Sequence, residues 1–188
     1  DRGDGISPLH FGYDRTASMT GREEGSDADR MEGATEGIFL EPLGFYLLVE
    51  RREGRIGRIS FSTERPKVPI PPEEKEAILR CWPGGEKVPW DLLDLSALTE
   101  FQRTVLKFVA TIPPGETLTY GQVAEGIRRP NAARSVGSAL GKNPFPLIIP
   151  CHRVVGSNGI GGYSSGVDLK RRLLDVEKEI CHSNLLLD

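Results

Sequence analysis

One short segment of this 188-residue chain gathers side chains able to do chemistry: Asn143-Pro144-Phe145-Pro146-Leu147-Ile148-Ile149-Pro150-Cys151-His152-Arg153-Val154-Val155. An apolar run, Leu147 to Ile149, is fenced by prolines and delivers a cysteine followed at once by a histidine. A thiolate is a nucleophile, and a neighbouring imidazole can take the thiol proton and lower its pKa. Adjacent residues on a strand point to opposite faces, so the pair can cooperate only where a turn or a helical start places them. Pro150 makes such a turn reasonable. The same pair also fits a buried structural cysteine beside an unrelated imidazole. A metal site fits poorly: Cys81, Cys151, His152, Cys181 and His182 are spread widely, with no CxxC or HxxxH spacing, whereas zinc takes about four ligands at workable spacing.

The elements that must position this segment follow from the pattern around it. Residues 1–36 carry few large apolar side chains and no period, and they read as a disordered leader or extension. Phe45 to Val49 is rich in strand formers, Arg52-Glu53-Gly54 signals a turn, and Ile56, Ile59 and Phe61 follow in a second strand, which predicts a β-hairpin. Pro72-Glu73-Glu74 opens a short helix carrying Ile78, Leu79 and Trp82, with proline and acidic residues where a helix start favours them. Residues 37–95 are therefore expected to form a small α+β domain.

A second domain is expected over residues 96–183, with a tail at 184–188. Thr99 and Gln102 have capping-box spacing, and Phe101, Val105, Phe108, Val109 and Ile112 recur at helical intervals. Thr119 caps a short helix with Val123, Ala124 and Ile127, and Arg129-Pro130-Asn131 turns into another running from Ala132 to about Leu140. Two short helices about a tight turn suggest a helix-turn-helix. The second helix is built of small residues, which suit either a packed core or close approach to another backbone; Arg134 among them favours the exposed alternative. A last helix over 167–180 places Leu169, Leu173, Val176 and Ile180 on one face, and Lys170, Arg171 and Arg172 read as a solvated face.

Bulk properties narrow the setting. Three cysteines, an odd number, argue against a disulfide framework and fit a reducing intracellular compartment, cytoplasm or a nucleus. No apolar run approaches the roughly 20 residues of a membrane span, so no membrane partner is expected. The net charge of −3 is uneven: residues 98–183 hold 11 Lys or Arg against 7 Asp or Glu. That excess permits a nucleic-acid partner without requiring one.

Five ordered blocks carry a specific resemblance. Thr119-Tyr120-Gly121, Ala132-Ala133-Arg134-Ser135-Val136-Gly137, Gly141-Lys142-Asn143-Pro144, Pro150-Cys151-His152-Arg153-Val154-Val155 and Gly161-Gly162-Tyr163-Ser164-Ser165-Gly166 together resemble the O6-alkylguanine-DNA alkyltransferases, strongly over about residues 98–180 and weakly over the hairpin. The resemblance implies an α+β fold, with a small N-terminal sheet domain and a helical, winged-helix-like C-terminal domain holding the helix-turn-helix. It implies DNA repair in a single turnover, with the alkyl group passing from guanine O6 to the protein's own Cys151. In that scheme His152 removes the thiol proton through a water, Glu177 orients the imidazole and Asn143 holds the turn. Tyr120 offers its hydroxyl to a purine ring nitrogen, the Ser164 backbone N–H serves O6, and Tyr163 closes over the base. The Val154 and Val155 carbonyls receive the exocyclic amine. The implied partner is double-stranded DNA bearing O6-alkylguanine, met by a monomer through the minor groove with the damaged base flipped out. Arg134 fills the gap in the stack, and Thr119, Ala132, Ala133, Ser135 and Gly137 lie against the backbone. No cofactor is expected, and the zinc of some relatives is not, since the ordered N-terminal unit offers only Cys81. Alkyltransferase-like proteins, which bind lesions without repairing them, have Trp where Cys151 stands here.

Overall fold

The computed structural model describes residues 35–83 and 85–185. The leader expected over residues 1–36 lies outside the described residues except at its last two positions, and Glu36 already belongs to a strand. β1 (Glu36–Leu40), β2 (Phe45–Arg52) and β3 (Arg55–Ser62) form an antiparallel meander, and the short β4 (Val68–Pro69) adds in parallel beside β1. The predicted hairpin is β2–β3, with Glu53 and Gly54 at positive φ in its turn and a bulge at Glu50/Arg51. β1 was not anticipated. It begins at Glu-Gly, and its place is set by pairing with β2, for which Gly37 is required: a Cβ there would lie 2.2 Å from the Leu47 carbonyl oxygen.

One face of the sheet contributes Ile38, Leu40, Leu47, Val49, Ile56 and Ile59 to the core. α1 (Pro72–Cys81) packs Ile78 into the same cluster, and Trp82, just past its end, is buried. Arg51 of β2 ties the sheet to this helix, donating to Glu36 at 2.7 Å and to Glu74 at 2.8 Å.

The helical half starts as the spacing predicts. α2 (Glu100–Val109) and α3 (Tyr120–Gly126) each have a reciprocal capping box, Thr99 with Gln102 and Thr119 with Gln122. Satisfying two orphan N–H groups at each start fixes where the helices begin. α3 and α4 (Ala133–Gly141) are joined by a tight turn with Arg128 at φ 58°, and both pack on α2. This is the expected helix-turn-helix. The two-residue strands β5 (Leu118–Thr119) and β6 (Val154–Val155) pair in parallel, and α5 (Val167–Leu185) closes the chain. It runs on past Ile180, where the last helix was expected to end, as far as Leu185.

The described residues fall within one compact unit. Two bonds show how sheet and helices meet: Ile59 N–H of β3 donates to Pro144 O at 2.8 Å, and Arg172 of α5 donates to Leu43 O at 2.7 Å while lying over the Phe45 ring.

Candidate active site: a buried thiol before a His–Glu pair

The loop from Asn143 to Cys151 is built almost entirely of buried residues, with Phe145 and Ile149 fully enclosed. Leu147 adopts φ 77°, a left-handed conformation that costs a branched side chain energy and persists because the surroundings hold it. Pro150 sits at φ −80°, ψ 63°, and Cys151 N–H donates back to Ile149 O at 2.8 Å. That is an inverse γ-turn. A 3-10 turn over Cys151–Arg153 follows at once, so Cys151 and His152 leave the backbone in directions that an extended strand would not allow.

Asn143 staples this loop at both ends. Its Oδ1 accepts from Phe145 N–H at 3.0 Å, and its Nδ2 donates to Ile149 O at 3.0 Å and to Cys151 Sγ at 3.2 Å. Burial pushes the Cys151 thiol above its ordinary pKa, while the Asn143 bond and the charge of Lys170 pull the other way, with a net rise. At rest the group is a thiol and needs a base.

The candidate for that base is the next residue in the chain. His152 and Glu177 are fully buried, with Nε2 2.7 Å from Glu177 Oε1. Burial pushes the imidazole below its usual pKa, against the pull of Glu177, so it is neutral at pH 7. A carboxylate only accepts, which assigns the ring proton to Nε2 and leaves Nδ1 as the acceptor. Nδ1 is buried and makes no hydrogen bond among the described residues. Burial raises the pKa of Glu177, but bonds from His152 and Arg153 and their charges outweigh this and hold it at about 2. Its remaining partners are Arg153, with Nη2 at 2.8 Å and Nε at 3.0 Å, and Gly115 N–H at 3.2 Å. Arg153 also donates to Ile112 O.

Cys151 opens onto a cavity of about 190 Å³ lined by Tyr120, Gly137, Leu140, Gly141, Gly162, Tyr163 and Ser164. Three of the residues expected to hold a ligand therefore share one cavity with the sulfur. Tyr120 donates to Gly162 O at 3.4 Å, and Gly161 passes close to its ring at φ 73°, where a Cβ would lie 3.1 Å from the hydroxyl on a backbone that favours glycine. The Tyr163 hydroxyl is buried against Cys151, and burial together with that sulfur's charge and hydrogen bonding pushes its pKa well up. On α4, Arg134 and Ser135 are exposed, and Ala132 and Ala133 half-buried beside them. Thr119 caps α3 and pairs with the half-buried Val155.

Two residues depart from expectation. Lys170, read as solvated, is fully buried, and its Nζ donates to Val154 O at 2.6 Å and Gly162 O at 3.1 Å. The Val154 carbonyl is thus already engaged from inside the protein. Arg153, given no role by the sequence, anchors Glu177. A signal existed for the lysine: 170, 174 and 177 share a helical face, and both Leu174 and Glu177 are buried.

The fold and this site define a helix-turn-helix protein in which a buried cysteine on a cavity is followed by a histidine bonded to a carboxylate. A family profile described as the 6-O-methylguanine DNA methyltransferase DNA-binding domain matches residues 100–179. A methylated-DNA–protein-cysteine methyltransferase of Methanosarcina acetivorans is 38% identical over 150 residues, 74% of this chain and 96% of that protein. One from Mycobacterium tuberculosis is 46% identical over 111 residues, 58% of this chain and 67% of that protein. Among solved structures, the Mycobacterium tuberculosis OGT in complex with DNA superposes with a TM-score of 0.61 at 38% identity, over 77% of this chain and 92% of that one. The chain belongs to the methylated-DNA–protein-cysteine methyltransferase family.

Proposed function

We propose that this chain repairs DNA by moving an alkyl group from O6 of a damaged guanine to Cys151, once per molecule. The observation that carries the reading is the seating of the Cys151 thiol on a cavity, with a neutral imidazole and an ionised carboxylate packed behind it. The Cys151 proton passes through one water to Nδ1 of His152, and the imidazolium so formed is stabilised by Glu177. The sulfur attacks the carbon attached to O6. An S–C bond forms, the C–O6 bond breaks, and its electron pair stays on the purine, which takes up a proton. Ser164 N–H at O6 and the Tyr120 hydroxyl at a ring nitrogen receive the charge that develops there. Tyr163 covers the base, and the carbonyls of Val154 and Val155 take its exocyclic amine. The product is a neutral thioether, with no leaving group to regenerate the thiol.

A base in a duplex cannot reach this sulfur, so the nucleotide is flipped out at a cost of a few kcal/mol. α4 enters the minor groove, with Arg134 in the vacated stack and Thr119, Ala132, Ala133, Ser135 and Gly137 against the backbone. The protein acts as a monomer, with residues 37–95 and 96–183 as its two domains.

The test is intact-mass measurement after incubation with a duplex bearing O6-methylguanine. The protein gains the mass of one methyl group on a peptide containing Cys151, and Cys151→Ala gains none while still binding the duplex. Uptake by that variant would falsify the acceptor assignment.

A further inference from the structure

Lys170 is a fully buried ammonium, and no carboxylate among the described residues pairs with it. Its two bonds go to carbonyls of two separate segments, one next to Cys151 and one lining the cavity. Val154 closes the 3-10 turn that carries the nucleophile, its N–H donating to Cys151 O, and Gly162 lines the cavity wall. The Gly162 carbonyl also takes the Tyr120 hydroxyl. A single side chain therefore ties the turn that carries the sulfur to a residue of the cavity wall.

The charges around the cavity leave a surplus. Among the described residues the fully or nearly buried ionised groups are Glu177, Arg153 and Lys170, with His152 neutral, together with Glu36, which is paired with Arg51 on the sheet. Glu177 is committed to Arg153 and His152. Lys170 is left with carbonyl dipoles alone, an arrangement that is costly for an isolated ion. A buried cation lacking an anion stabilises any negative charge that arises near it, and the group able to become negative here is the Cys151 sulfur. We propose that Lys170 is the positioning residue that supplies the fixed positive charge balancing the Cys151 thiolate, while holding Val154 and Gly162 at one separation. The inference rests on Cys151 being the reactive sulfur.

The mutual influence is reciprocal, as linkage requires. Burial pushes the lysine below its ordinary pKa and the Cys151 charge raises it, while burial pushes the thiol up and the Lys170 charge lowers it. The titratable groups facing the sulfur are Lys170 of α5, Tyr163 and Tyr120 of the cavity wall, and, behind it, His152, Arg153 and Glu177. The same positive charge also works against protonation of His152, keeping the imidazole able to accept.

The experiment uses the full chain with Lys170→Gln, which keeps a side-chain donor without the charge, and Lys170→Arg, which keeps the charge. The rate of Cys151 alkylation by iodoacetamide is followed against pH by peptide mass. In that reaction the thiolate displaces iodide, so the rate reports the thiolate fraction. Lys170→Gln moves the midpoint upward by about one to two pH units, slowing alkylation at pH 7 by roughly tenfold or more, and Lys170→Arg restores most of it. A Gln variant that is slower by one factor at every pH, with its midpoint unmoved, overturns the proposal in favour of packing alone.

Should neither variant fold, the unmodified protein answers by nitrogen NMR of its lysine ammonium groups before and after Cys151 is capped with iodoacetamide. The Lys170 pKa falls once the sulfur can no longer ionise; an unchanged value overturns the proposal. None of these readings involves DNA. Failure of the alkyl-acceptor reading would show separately, as a missing mass gain with lesion-bearing duplex.

Discussion

Glu177→Gln removes one charge and almost no volume, and the expected cost can be worked from the site. Glu177 accepts from His152, Arg153 and Gly115 N–H inside the protein, and its pKa stands at about 2 against an ordinary 4.5. A depressed carboxylate contributes stability that is present above its unfolded pKa and lost as pH falls through the folded one. The difference is worth about 3 kcal/mol at pH 7. Leaving Arg153 buried without an anion could take the loss toward about 5 kcal/mol. With a urea slope of roughly 2 kcal/mol/M, the unfolding midpoint of the variant lies about 1.5 M or more below that of the parent. The decisive feature is the pH course. Below pH 4.5 the gap narrows, and near pH 2 it closes, because a protonated Glu177 resembles the glutamine. His152 adds an acid-side loss below its ordinary 6.5 in both proteins, so the comparison is of differences. Urea titrations of both proteins at several pH values make the measurement. A gap that stays constant from pH 7 to pH 3, or one under 1 kcal/mol throughout, refutes the claim that an ionised Glu177 organises the site.

Four further outcomes follow from named contacts. Asn143→Ala removes the bonds to Ile149 O, Cys151 Sγ and Phe145 N–H; stability should fall by about 2 to 4 kcal/mol and the Cys151 thiol should titrate at higher pH, checked by denaturation and by iodoacetamide kinetics. Gly126→Ala would set a Cβ 2.1 Å from the Phe108 ring, and calorimetry should show about 1 to 3 kcal/mol of lost stability from overpacking between α2 and α3. Arg134→Ala should slow transfer from a duplex lesion far more than reaction with free O6-benzylguanine, since the side chain is exposed on α4 and away from the sulfur; equal losses in parallel rate assays would remove it from base flipping. Thr119→Ala breaks a capping box and should cost about 1 kcal/mol, with DNA affinity reduced in a titration because α3 starts less sharply.

What could be read from the sequence was local. The capping box at Thr99 and the cap at Thr119 appear where the spacing put them, because caps depend on residues three apart. The turn at Pro150 likewise follows from proline's own dihedral limits. β1 escaped notice because its five residues make sense only opposite β2. Lys170 was read as solvated because a run of three cations ordinarily faces water. Its partners are two backbone carbonyls, which carry no residue identity for a pattern to detect. Arg153 was hidden in the same way, with one partner 24 positions ahead on α5 and another 41 positions behind it.

The hold of Asn143 and of Ile59 on the loop before Cys151 bears on where recognition happens in time. Under the proposed alkyl transfer, a sulfur bonded by Asn143 on a loop also held by Ile59 does not go out to meet its target, so all the travelling is left to the nucleotide. Discrimination then starts in the double helix itself: positions whose pairing is already weakened open most often, and those are the ones presented for inspection. The protein waits, and the faults in the DNA come to it.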